Sequence, residues 1–332
     1  MPSKTTPKGP KITNMTDETI TENTILVNSQ HKDMRLMFLL QKAVEHLHDF
    51  ARETRLTTDE WMAAIEFFTA VGKMCSDIRQ EFILLSDTMG LSVLVDAISH
   101  PKPSHVTVGT LLGPFHTHDA EEKHQGDSIC SEGKGEPLLI EGTLTDSTGK
   151  PLADASIDLW HCDANGLYDT QYEHREDPDM RGIVKTKEDG SFVIKCTRPV
   201  PYAIPHDGPV GKLLQKLNRH PYRPAHIHFI IKKEGYDELI TALYHKGDPY
   251  ETSDAVFGVK TPLLFTLSKV GEEKAKKYNM KPDDWYLKWD FSIVTEEESR
   301  NLVLENNKKA LGKSDDKVVI NSDGLPEFAP LD

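Results

Sequence analysis

Between Leu138 and Val294 the apolar residues come in short runs broken by turn chemistry, with no helix-period stretch of the kind that builds βαβ units. Leu138–Thr145, Ser156–His161, Ser191–Cys196 and Ala225–Ile231 are rich in β-formers, and Thr241–His245 and Trp289–Val294 add two further runs. Ser147-Thr148-Gly149-Lys150 and Glu188-Asp189-Gly190-Ser191 supply turns between them. Phe192, Ile194 and Cys196 alternate as on a strand with one buried side. This pattern predicts an antiparallel β-sandwich, so the fold class is mainly β with an appended α region.

The α region comes first. Leu36, Leu40, Ala43, Leu47 and Phe50 recur at helical spacing. Thr57-Thr58-Asp59-Glu60 is a capping-box pattern, and it opens a stripe of Trp61, Ile65, Phe68, Val71, Cys75 and Ile78 that Gly90 ends. Leu91–Ile98 reads as a further short helix before Pro101 and Pro103. Residues 1–30 are polar and read as a flexible N-terminal segment; from Glu296 the chain is charged and reads as a helix plus tail.

The 332-residue chain is long enough for a full core, and its net charge of -14 argues against nucleic acid or an anionic membrane as partner. The same charge favours a neutral small molecule over an anionic substrate. Four dispersed cysteines (Cys75, Cys130, Cys162, Cys196) contain no Cys-x-x-Cys pair, which indicates neither a zinc knuckle nor a disulfide framework. The polar start lacks an apolar signal region and no run reaches the roughly 18 apolar residues of a membrane span, so the expected setting is cytoplasmic.

Arg223-Pro224-Ala225-His226-Ile227-His228 leads into Phe229-Ile230-Ile231, which places both imidazoles on one face of a strand. Tyr168 and Tyr202 lie upstream in turn-rich stretches. Neither pair proves a site alone: the histidines read equally well as locally bonded residues, and for the tyrosines a buried ring with one satisfied hydroxyl is the stronger reading. Together, two imidazoles and two phenolates form a set suited to ferric iron, because phenolate is a hard anion and Fe(III) a strong Lewis acid.

Four ordered segments carry a close resemblance to the intradiol ring-cleavage dioxygenases. They are Leu112-Gly113-Pro114-Phe115, Asp158 through Tyr168, Tyr202 through Pro209, and Arg223 through His228. The resemblance implies that Tyr168, Tyr202, His226 and His228 bind one Fe(III) per subunit. It implies that Tyr202 leaves the metal to take a substrate proton, and that Arg223 stabilises the anionic ring as oxygen adds. Both atoms of O2 would enter hydroxyquinol (1,2,4-trihydroxybenzene) and/or catechol. The products would be 3-hydroxy-cis,cis-muconate/maleylacetate or cis,cis-muconate, in aromatic catabolism.

Details resemble the hydroxyquinol 1,2-dioxygenases and fungal catechol 1,2-dioxygenases. That likeness implies a substrate pocket lined by Leu84, Asp87, Leu112, Gly113, Pro114, Phe115, Ile204, Pro205 and Val256. Asp87 could accept a hydrogen bond from a third ring hydroxyl, or could be a solvated or capping residue near a helix end. The family often carries a glutamine where this chain's register places Ala242. The resemblance also implies a homodimer with the helices at its centre, often enclosing a phospholipid. Domains would then run 1–30 (flexible), 31–125 (helical dimerisation and linker), 126–295 (catalytic sandwich) and 296–332 (helix and tail). Two rival readings are a non-catalytic transthyretin-like sandwich and a zinc or Fe(II) enzyme using His226, His228 and a carboxylate.

Overall fold

Five helices precede the sheets: α1 (Ile20–Asn28), α2 (Met34–Thr54), α3 (Thr58–Met74), α4 (Glu81–Thr88) and α5 (Leu91–Ser99). The strands follow as β1 (Glu122–Lys123), β2 (Pro137–Asp146), β3 (Ser156–Trp160), β4 (Arg181–Lys185), β5 (Ser191–Thr197) and β6 (Tyr202–Ala203). Next come α6 (Pro209–Lys216), β7 (Tyr222–Arg223), β8 (His226–Lys232), β9 (Leu239–His245), β10 (Leu264–Phe265) and β11 (Ser268–Lys269). The chain ends with α7 (Gly271–Tyr278), β12 (Trp285–Lys288), β13 (Phe291–Ile293), α8 (Glu296–Leu311), β14 (Val318–Ile320) and β15 (Pro326–Phe328). This computed structural model describes residues 14–29, 32–76, 79–174, 177–312 and 317–329. Ile78 and residues 1–13 therefore lie outside the described residues.

The chain divides into two units, one spanning Thr69–Leu302 and the other joining the segment up to Phe68 with the segment from Val303. In the first unit a six-stranded sheet runs β1-β4-β3-β8-β9-β10, and β2 pairs with β5, β12 and β13 in a second sheet. The long ladders β3/β4, β3/β8, β8/β9 and β2/β5 are antiparallel, as expected of the sandwich. Parallel pairing enters through β1/β4, β9/β10, β12/β2 and β13/β2, so the sheets are mixed. The core is built from alternate residues: Ile157 and Leu159 of β3, Ile227, Phe229 and Ile231 of β8, and Leu138, Ile140, Phe192 and Ile194 of β2 and β5. On β8 the intervening His226, His228 and Ile230 must therefore face away from that core, on the opposite side of the six-stranded sheet.

The second unit is helical, with a β14/β15 hairpin that places Phe328 edge-on to Phe38 of α2 at 5.4 Å between ring centroids. Helix α2 has the expected apolar stripe, yet none of its described residues is buried and Leu36, Leu40, Leu47 and Phe50 are exposed. Two expectations need correction. A short helix, α1, occupies part of the stretch read as flexible; Arg52 fastens its start by donating to the Asp17 carbonyl and the Thr21 hydroxyl. The apolar stripe from Trp61 onward is one pattern but two helices. The capping box forms as expected, with reciprocal Thr57–Glu60 bonds of 3.0 and 3.3 Å. The chain then turns at Ser76–Arg79 (Ser76 N to Arg79 O, 2.7 Å), where Arg79 is drawn to the Glu81 and Asp207 carboxylates. Among the described residues no single helix is long and apolar enough to cross a membrane.

Candidate active site

His226 and His228 are two apart on β8, and the strand period of two brings their Nε2 atoms to 3.1 Å. His226 Nδ1 lies 2.6 Å from the Pro224 carbonyl oxygen, which can only accept. That nitrogen must carry the proton, so Nε2 presents a lone pair, here toward Arg223 Nη1 at 3.2 Å, which is the tautomer a metal ligand needs. Trp160 of β3, paired opposite His228, lies parallel to its ring at 4.9 Å and 5°. Gly113, at φ +73°, brings the backbone against the edge that carries Nε2. A Cβ there would stand 3.3 Å from His228 Cε1 and 3.4 Å from Nε2.

The tyrosines arrive on loops. After β3, the Asp163 carboxylate accepts from Asn165 N and Leu167 N, and Gly166 takes φ +78°, turning the chain back so that Tyr168 points inward. Behind Tyr168, the buried Arg181 guanidinium holds the Asp169 carboxylate and donates to the Phe115 carbonyl at 3.1 Å. The Phe115 ring in turn stacks on Tyr168 at 4.4 Å. Tyr202 lies on β6, directly opposite Arg223 on β7. The rings form a continuous series: Tyr168 to Tyr202 at 5.4 Å, Tyr202 to His226 at 5.3 Å, His226 to His228 at 4.7 Å. All four residues are buried, and the Tyr168 hydroxyl has no hydrogen-bond partner. A buried orphan phenol beside two convergent imidazole nitrogens suits a hard cation.

Burial holds all four groups neutral. It pushes Tyr168 well above the ordinary phenol range, with Tyr202 adding to the effect. It also raises Tyr202, against the opposing Arg223 cation. Burial drives His226 and His228 well below the usual imidazole range, reinforced by Arg223 for the first and by His226 for the second. Among the described residues no three His, Cys, Asp or Glu side chains group to hold a metal, so the reading with two histidines and a carboxylate finds no site.

Of the expected pocket residues, Leu84, Phe115, Ile204 and Val256 pack in one cluster with Tyr168, Tyr202 and Trp160. Asp87 near the end of α4 is half-buried; burial raises its carboxyl pKa, opposed by the Ser92 hydroxyl and the Arg223 cation. Leu112 and Pro114 are exposed and Pro205 half-buried, and none of the three joins the cluster. Ala242 lies opposite His228 in the β8/β9 register, so that position offers a methyl group and no hydrogen bond. Sequence reasoning missed Tyr244 and Asp254, both of which bind Arg223, and Trp160 as the packing partner of His228. Tyr244 was within reach: it stands two residues beyond Ala242, hence on the same face, opposite His226.

Comparison with known proteins identifies the family. The family described as Dioxygenase matches residues 111–293, and Catechol dioxygenase N terminus matches residues 33–107. The chain is 54% identical to the intradiol ring-cleavage dioxygenase hqdA of Aspergillus niger over 98% of both chains. It is 43% identical to a hydroxyquinol 1,2-dioxygenase of Rhizobium sp. (strain MTP-10005), covering 79% of this chain and 89% of the relative. The crystal structure of hydroxyquinol 1,2-dioxygenase from Pseudomonas putida DLL-E4 superposes with a TM-score of 0.80 at 38% identity, covering 84% of this chain and 99% of that one. The chain belongs to the intradiol ring-cleavage dioxygenases, oxidoreductases that open an aromatic ring between two hydroxyl-bearing carbons. The reading as a non-catalytic transthyretin-like module is thereby set aside.

Proposed function

We propose that Tyr168, Tyr202, His226 and His228 hold one Fe(III) per subunit and that the enzyme cleaves hydroxyquinol, with catechol as a second ring. The observation that carries this reading is the 3.1 Å approach of two imidazole Nε2 atoms beside buried phenols, one of them without a partner. Bound there, Fe(III) would supply the Lewis acidity that lets a ring with adjacent hydroxyls bind as its anion and react with O2. Around it the chain's own groups have distinct tasks. Tyr202 Oη takes a proton from a substrate hydroxyl. The Arg223 guanidinium, buried and 3.2 Å from His226 Nε2, holds negative charge on the ring oxygens as the ring is oxidised. Phe115, Ile204 and Val256 keep bulk water from the site. Asp87 receives the third hydroxyl of hydroxyquinol, which supports that ring ahead of catechol, as do the names of the relatives.

The product from hydroxyquinol is 3-hydroxy-cis,cis-muconate/maleylacetate, and from catechol cis,cis-muconate. We further propose a homodimer joined through α2 and α3, whose exposed Leu36, Leu40, Leu47, Phe50, Trp61 and Phe68 support an apolar interface able to enclose a phospholipid. Four free cysteines support a reducing, cytoplasmic setting.

The test is oxygen uptake on a panel of dihydroxy- and trihydroxybenzenes with product analysis. Tyr168→Phe should weaken and shift the visible phenolate-to-iron absorption, leaving only the Tyr202 contribution, and remove most turnover; a colourless, iron-free wild type that is nonetheless active would end the ferric reading. Asp87→Ala should lower hydroxyquinol turnover more than catechol turnover. Equal loss on every ring would leave catechol as the better assignment.

A further inference from the structure

Arg223 is too enclosed to be aimed by solvent. Its guanidinium is held along one edge by Asp254, with Nε 3.1 Å from Oδ1 and Nη2 3.3 Å from Oδ2. Tyr244 Oη accepts a further bond from Nη2 at 3.1 Å. With Nε and Nη2 thus committed, Nη1 is the nitrogen that faces the imidazole pair, 3.2 Å from His226 Nε2. The carboxylate is itself held from behind: Val256 N donates to Oδ1 at 3.3 Å and Gly258 N to Oδ2 at 2.9 Å. Gly258 leaves the space this needs, since a Cβ there would lie 2.6 Å from Tyr244 Oη and 2.8 Å from Arg223 Nη2. Two parallel bonds to a planar fork fix both its plane and its direction, which a single contact or a lysine could not.

We propose that Asp254 is a positioning residue for ring cleavage: with Tyr244, it directs Arg223 Nη1 at the oxygens of the bound ring. The proposal rests on the ferric reading of the site above. Asp254 makes no hydrogen bond to the four metal-site residues and reaches the ring oxygens through Arg223, while its bonds from Val256 N and Gly258 N hold the loop that backs it. A misplacement of about 1 Å at such a group lowers turnover on the order of 100-fold.

The experiment is a double-mutant cycle on the iron-loaded enzyme with Asp254→Asn, Arg223→Ala and the double variant, read as kcat, KM, iron content and visible absorption. Asp254→Asn should keep iron and colour, hold KM within about threefold and lower kcat on the order of 100-fold. The double variant should be no slower than Arg223→Ala alone, because a residue acting only through another adds nothing once that partner is gone. Added guanidinium ion should restore part of the turnover of Arg223→Ala and none of the double variant's. Tyr244→Phe, which keeps the ring, should lower kcat by about tenfold and serves if Asp254→Asn does not fold. Multiplying losses in the double variant, or wild-type kcat in both Asp254→Asn and Tyr244→Phe, would overturn the proposal. A wild type without iron or colour would instead overturn the ferric reading on which it rests.

Discussion

A single methyl group at Gly113 tests whether His228 Nε2 is where a metal is held. Gly113→Ala acts in two ways that can be separated. The backbone sits at φ +73°, where a non-glycine residue is strained by about 1–2 kcal/mol. The new Cβ would also stand 3.3 Å from His228 Cε1 and 3.4 Å from Nε2, close enough that the ring must give by a few tenths of an ångström. The ring has little freedom, because the Trp160 indole lies parallel to it at 4.9 Å. Its yielding therefore shifts Nε2 relative to the 3.1 Å pairing with His226. Gly133→Ala is the control, with φ +79° and nothing within 4 Å of the added Cβ. Both variants should lose about 1–2 kcal/mol of stability, a fall in Tm of a few degrees for a unit of this size. Only Gly113→Ala should weaken iron, by roughly 10–100-fold, the usual effect of disturbing a ligand's support. Thermal melts of the iron-free proteins give the first quantity, and chelator competition followed at the phenolate absorption gives the second. Equal iron affinity in the two variants would refute the assignment of His228 Nε2 as a ligand.

Two further outcomes follow from burial. Both phenols are held protonated and both imidazoles neutral, so metal uptake should expel about two protons and apparent iron affinity should rise about 100-fold per pH unit near neutrality. Competition against a chelator of known protonation measures that slope; a slope near zero would mean that the tyrosines are not ligands. Separately, His161 is buried with its Nδ1 on the Cys162 carbonyl, and desolvation pushes its pKa down to about 4. The unfolded chain gains this proton near pH 6.5 while the folded chain does not until about pH 4. The stability is thus fully present above pH 6.5 and falls by about 3 kcal/mol across that window as pH drops. Urea midpoints at pH 7 and pH 5 should differ less in His161→Gln than in wild type.

Local periodicity made part of this molecule legible. The β8 histidines could be read because a strand alternates, and α2 and α3 because helices repeat. What escaped was non-local or lacked a pattern. Helix α7, Gly271-Glu272-Glu273-Lys274-Ala275-Lys276-Lys277-Tyr278, buries only Ala275, so it shows no apolar stripe. Strand β12 is short and joins β2 in parallel, through a register that nothing near Trp285 announces. The break between α3 and α4 is set by Arg79 reaching Asp207, 128 residues away. The tyrosines stood out in turn-rich stretches, but only the resemblance singled them out as ligands: the placing of Tyr168 depends on the Asp163 turn and the Arg181–Asp169 pair, and that of Tyr202 on pairing with Arg223. Asp254 escaped for the same reason, being 31 residues from the guanidinium it directs.

The same desolvation that silences all four donors also discriminates among cations. Neutral imidazoles offer lone pairs without losing a proton, but each phenol yields its oxygen only to a cation that outcompetes a proton bound more tightly than in water. A trivalent ion keeps a net positive charge against two phenolates, whereas a divalent ion is neutralised by them, so the proposed four-donor set would favour Fe(III) over Zn(II) by charge as well as by donor hardness. The two phenols are unequal in this respect. Tyr168 is packed against Phe115 with its hydroxyl unpartnered, and burial acts on it with little relief. Tyr202 stands opposite Arg223, whose cation offsets part of the burial and would support a free phenolate. Under the proposed ligand set, Tyr202 would therefore be the one to exchange a metal for a substrate proton, and Tyr168 the one to stay.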